Sequence, residues 1–216
     1  MDTATAATTA PGRGWLMRWS PLGGLVYVIG MVVIFLTPAG DEAGDTAAEV
    51  VSNAEANENW YGALVIFGLV GLLLIAWFVA GLAVRLRDAG ARDEGTVAFA
   101  GGIAFAVLSF MALNIFISPL FSITEEDTQD AKLSAATTFL NVDDIGWVAL
   151  GGAGVAAGLM AIAASIGAMR TRSAPTWAGV IGILLGVVSL GTIAFVGIFA
   201  WLAWILLASV AMLIRR

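Results

Sequence analysis

The side chains able to do chemistry in this chain are few, and carboxylates lead them. Glu125-Glu126-Asp127 and Asp143-Asp144 gather hard oxygen donors in short runs, the ligand type that binds a divalent cation. Their spacing matches no EF-hand loop. Adjacent carboxylates also suit a helix N-terminus, where Asp143 and Asp144 meet the positive end of the dipole. A solvated acidic face is therefore the first expectation, with Glu125, Glu126, Asp127, Asp143 and Asp144 as weak metal-ligand candidates. A second set is uncharged. Ser109, Asn114 and Ser165, joined by Ser189 and Thr192, fall within long apolar stretches and offer a narrow polar cavity for a neutral solute. The commoner role of such residues is an interhelical or backbone hydrogen bond worth about 1 kcal/mol. Cysteine and histidine are absent, which removes disulfides, thiolate catalysis, Cys/His zinc or haem ligation and a Ser-His triad. No nucleophile, oxyanion donor or ligand set accompanies the carboxylates, so the chain reads as a non-enzyme without a cofactor.

The elements that must position these residues are helices in lipid. A hydrophobic fraction of 60%, charged residues at 12% and a mean hydropathy of +0.94 lie outside the range of a soluble domain. The fold class expected is all-α, a polytopic transmembrane helix bundle. The segment from Pro175 to Leu213 carries no charge. As one helix it would be about 58 Å long, against a hydrocarbon core of about 30 Å, so it must fold back. The bend is expected near Ser189-Leu190-Gly191-Thr192. A tail at 1–20 then leads into six spans, near 21–37, 60–84, 96–118, 145–169, 176–191 and 194–214.

Local signals set the ends of these spans. Ser20 can cap the first, Pro21 suits its first helical position, and Pro119 ends the third. The loop from Ala39 to Asn59 is acidic, and Thr46-Ala47-Ala48-Glu49 has the capping-box form. Thr124-Glu125-Glu126-Asp127 repeats that form and opens a weakly amphipathic stretch through Leu133, Phe139 and Leu140. Two short extracytoplasmic helices are thus expected. The competing reading of the N-terminus is a cleaved signal peptide over residues 1–39, since a basic flank, an apolar run and the small residues Thr37 and Ala39 imitate one.

Charge orients the bundle. Of the ten basic residues, nine (Arg13, Arg18, Arg85, Arg87, Arg92, Arg170, Arg172, Arg215, Arg216) fall on one side and only Lys132 on the other, whereas twelve of the sixteen acids lie on the Lys132 side. The positive-inside rule then places both termini in the cytoplasm. The first four spans follow a shared plan of span, acidic loop with a capping box, span and basic turn, which suggests a parallel duplication.

Within the spans no Asp, Glu, Lys or Arg reaches the core, so the ionisable machinery of proton-coupled carriers and ion pumps is missing. Gly154…Gly158 and Gly182…Gly186 form small-xxx-small pairs, read as close packing within one bundle ahead of a dimer seam. Trp201 and Trp204, with Phe195 and Phe199, make an aromatic face on the last span that fills the core or meets lipid.

The basic Trp-containing N-terminus, the acidic helical loops, Val84-Arg85-Leu86-Arg87, the turn Arg170-Thr171-Arg172-Ser173-Ala174-Pro175-Thr176-Trp177-Ala178-Gly179 and the closing Arg215-Arg216 together resemble a group of uncharacterised six-span membrane proteins of actinobacteria and their relatives. The resemblance implies a bacterial plasma-membrane location and carries no activity or site residues. The function expected is that of a non-enzymatic binding or assembly partner with acidic outer loops, the alternative being a facilitator of a neutral or lipophilic solute. The partners expected are the lipid bilayer and a membrane protein or second copy of the chain, with no nucleic acid.

Overall fold

A computed structural model describes residues 13–35, 44–191 and 196–214. The tail residues 1–12, Thr37, Ala39, Asp41, Glu42, Thr192, Phe195 and the Arg215-Arg216 pair lie outside the described residues. Those described form seven helices and no strand: α1 (Arg13–Phe35), α2 (Ala47–Ala56), α3 (Glu58–Asp88), α4 (Arg92–Glu125), α5 (Gln129–Arg170), α6 (Thr176–Ser189) and α7 (Val196–Ile214). Five of them, α1, α3, α4, α5 and α7, are long and apolar enough to cross a membrane, and α6 is a shorter apolar helix. The protein is a membrane-embedded helical bundle.

Every backbone polar group in lipid needs a partner within the protein, and continuous helix supplies it. Most departures from the sequence expectations lie past the apolar core, where the helices also continue. Pro119 does not end the third span. α4 runs through it to Glu125, because Leu120 and Ile123 just past the proline are buried and their packing offsets the one lost N–H. Likewise Ser20 is not an N-cap, because α1 already begins at Arg13, with Pro21 inside it. The Ser20 hydroxyl donates instead to the Met17 carbonyl at 3.0 Å.

The first capping box forms as expected. The Thr46 side chain accepts from the Glu49 N–H, and the Glu49 carboxylate accepts from the Thr46 N–H at 3.0 Å. The second does not form. Thr124 and Glu125 belong to the last turn of α4, where the Thr124 hydroxyl donates to the Phe121 carbonyl at 2.7 Å. Thr128 caps the next helix, accepting from the Ala131 N–H at 3.3 Å. That helix does not stop short of the fourth span. With no Gly or Pro between Gln129 and Ile145 to break it, α5 runs 42 residues as one piece. Only one short capping helix, α2, stands apart, so the plan of the first two spans is not repeated in the next two.

Six helices close a ring in the order α1, α3, α4, α5, α6, α7 and back to α1, with the α4–α5 contact the most extensive. Tyr27, Phe105 and Trp201 meet at its centre, with Phe105 and Trp201 edge to face at 4.9 Å. Trp201 and Trp204 are buried and Phe199 is exposed. The glycine pairs pack inside this one bundle. A Cβ on Gly158 would stand 2.6 Å from the Gly186 carbonyl oxygen and one on Gly186 3.0 Å from that of Gly158, so α5 and α6 touch backbone to backbone.

The bundle has two chemically distinct ends. At the basic end, the tight turn at Ala89–Ala91 uses Gly90 at φ 95°. Arg170 bridges there to Glu94 at 2.8 Å and donates to the Gly90 carbonyl. At the acidic end, α2 lies across the mouths of α3, α4 and α5. Its Val50, Val51 and Ala54 are buried against Tyr61, Ile117, Leu120, Ile123 and Phe139. Lys132 of α5 pairs with Glu55 of α2.

Candidate functional site

Beneath α2 the ring is hollow. A cavity of about 930 Å³ opens at the acidic end and reaches down to Tyr27, Ile75 and Ser109. Small residues are part of its lining: Gly68 and Gly71 on α3, and Ala106 and Ala112 on α4. Ala106, Ser109, Leu113, Phe116 and Leu120 recur at three- and four-residue spacing, which keeps them on one face of α4. The wall is rich in rings, with Tyr27, Tyr61, Phe67, Phe110, Phe116, Phe139 and Trp147 all lining it.

The ionisable residues on the wall are Asp45, Glu49 and Asp143, all acidic and all at the α2 end. Glu49 is committed to the cap of α2. Its carboxylate accepts from the Asp45 N–H, the Thr46 N–H and the Thr46 hydroxyl, and the hydroxyl contact foremost holds it below the usual carboxylate range. Asp143 differs. Counting about 20 residues of α5 back from the Arg170 anchor for a 30 Å core leaves Asp143 roughly two turns beyond it. Its Oδ2 accepts from the Trp147 indole N–H at 3.2 Å, and Trp147 stands edge to face on Phe116 at 5.2 Å. Burial pushes the Asp143 carboxyl up, the Trp147 hydrogen bond opposes this, and the Asp144 charge adds to the rise.

Ser109 sits at the deep end beside the Tyr27 hydroxyl. Its Oγ is buried with no hydrogen bond of good geometry. Ser109 and Tyr27 together make the polar point at this depth of the wall.

The three residues expected to share one polar cavity are separated. Ser109 lines this one. Asn114 is exposed on α4 and donates to the Phe110 carbonyl one turn back at 2.8 Å. Ser165 lies in the other half of the bundle, accepting from the Trp204 indole at 3.4 Å. Glu125, Glu126 and Asp127 are exposed around the α4–α5 turn, and Asp144 is exposed beside Asp143. Among the described residues no three Asp or Glu side chains gather closely enough to hold a metal ion.

A second cavity of about 790 Å³ opens at the basic end, walled by Arg18, Arg85, Asp88, Ser165 and Trp204 among others. Two of its polar groups, Arg85 and Ser165, are held by the protein. Arg85 donates to the Met212 carbonyl at 2.7 Å and the Met17 carbonyl at 3.5 Å, tying α3 to the end of α7 and the start of α1.

The aromatic lining and the role of Asp143 at the mouth escape a reading of the sequence alone. The one local signal was Asp143 and Trp147 at i, i+4 spacing, which places both on one helix face. Comparison with known protein families, curated proteins and solved structures finds no match to this chain.

Proposed function

We propose that this chain is a six-span protein of a bacterial plasma membrane, with its basic end cytoplasmic, that binds a lipophilic small molecule in the cavity at its outer end. The cavity carries the reading: ligand sites are concave, mostly apolar and furnished with a few placed polar groups, and this one combines seven aromatic residues with Ser109 and Asp143. The distribution of arginines supports the orientation. The role assigned is binding or facilitated passage rather than catalysis. A second reading, assembly with another membrane protein, draws on the exposed Glu125-Glu126-Asp127 tip, whose replacement by alanine should then release a stoichiometric companion.

The test is native mass spectrometry of protein released gently from its own membrane. A small-molecule adduct should accompany the wild type and be weakened in Ala112→Phe, which takes up part of the cavity. A bare wild-type bundle would overturn the reading. Orientation is checked by cysteine labelling in this cysteine-free background: Ser173→Cys should label from the cytoplasm and Thr128→Cys from outside.

A further inference from the structure

We infer that the outer cavity selects a lipophilic organic cation, with Asp143 as its counter-ion at the mouth and the aromatic wall as the seat of its apolar body. This rests on the binding reading above and names the ligand class.

Three observations carry it. No lysine or arginine lines the cavity, and Lys132, the basic residue described at this end, is held by Glu55. A guest anion would therefore meet carboxylates only, while a cation would find its complement. Next, the three acids are not equivalent. Asp45 is exposed ahead of α2 and Glu49 is occupied by the cap of that helix, whereas Asp143 is half-buried and receives one hydrogen bond, from Trp147 to Oδ2, and so keeps acceptor capacity for a guest. Finally, the atoms around that carboxylate are rings. Trp147 and Phe116 stand edge to face, and Phe110 continues the wall inward. The negative faces of such rings favour a cation, most strongly one already stripped of water. A neutral guest uses the rings but leaves Asp143 unpaired at the mouth. A cation with an apolar body uses both.

The experiment is equilibrium dialysis of the purified full chain in a neutral detergent, with empty micelles subtracted. The probes are tetraphenylphosphonium, tetraphenylborate of matched shape and opposite charge, and neutral triphenylphosphine oxide. The phosphonium should bind at least about tenfold more tightly than the borate. Asp143→Asn should remove about that factor for the phosphonium and leave the neutral probe unchanged, with Asp143→Glu restoring the preference. Equal affinity for cation and anion, or a phosphonium affinity unmoved in Asp143→Asn, overturns the charge selection while leaving lipophile binding intact. Failure of all three probes overturns the binding reading itself. If Asp143→Asn does not fold, the wild-type preference between the matched ions decides alone.

Discussion

The two ends of the bundle are hollowed to similar size, about 790 and 930 Å³, and differ in what a charged residue on the wall does. At the basic end Arg85 is a tie between helices, its guanidinium spent on the carbonyls of Met212 and Met17. At the acidic end Asp143 accepts, among the described residues, only from Trp147, one turn along its own helix. Volume alone does not make a site. The difference lies in whether a charged residue on the wall holds the bundle together.

That contrast predicts a split between stability and binding. Arg85→Ala should have the largest effect on stability, about 2–3 kcal/mol, the range for hydrogen bonds made by a charged group, read as a fall in melting temperature in detergent. Asp143→Asn should shift melting by less than about 0.5 kcal/mol, the usual range for a substitution that breaks no structural contact. A destabilisation equal to that of Arg85→Ala would erase the distinction between the ends. Thr46→Ala should cost about 1 kcal/mol as a lost N-cap, confined to α2 and visible as faster amide exchange over Val50, Val51 and Ala54.

Acid should do the same through Glu49. A carboxyl lowered on folding contributes stability that is present above its unfolded value, about 4.3, and is lost as pH falls through its folded value. Exchange protection in α2 should therefore hold at neutral pH and weaken only in acid below the ordinary carboxylate range. Protection that is equally acid-sensitive in Glu49→Gln would detach the cap from this carboxylate. The smallest effect belongs to Asn114→Leu. Its amide faces outward and is bonded to its own helix, so both melting and probe binding should stay within error.

What could be read from the sequence was what is local or periodic. Thr46 and Glu49 are three residues apart, so their capping box needed no knowledge of the rest of the fold. The final hairpin followed from length against bilayer thickness, and α6 does end at Ser189 as expected. Pro119 and the run from Gln129 to Ile145 misled because local punctuation rules do not see packing. Leu120 and Ile123 of α4 and Ala136 and Phe139 of α5 are buried with Val50, Val51 and Ala54 of α2, and that burial carries both helices past the apolar core. Ser109 was picked out as polar in an apolar span, but its separation from Asn114 and Ser165 depends on helix rotation. The cavity is walled by rings from four helices, and no single stretch encodes that.

The helices are unequal in height, and a bilayer would register it. α4 and α5, of 34 and 42 residues, exceed a hydrocarbon core of about 30 Å, whereas α6, of 14 residues, reaches only about 21 Å at 1.5 Å per residue. On the six-span reading, lipid beside α6 must thin to meet it while lipid beside α4 need not. The protein then carries one compressed flank. Turning that flank toward another protein, or entering a thinner membrane, relieves the mismatch, so its lateral sorting should respond to acyl-chain length.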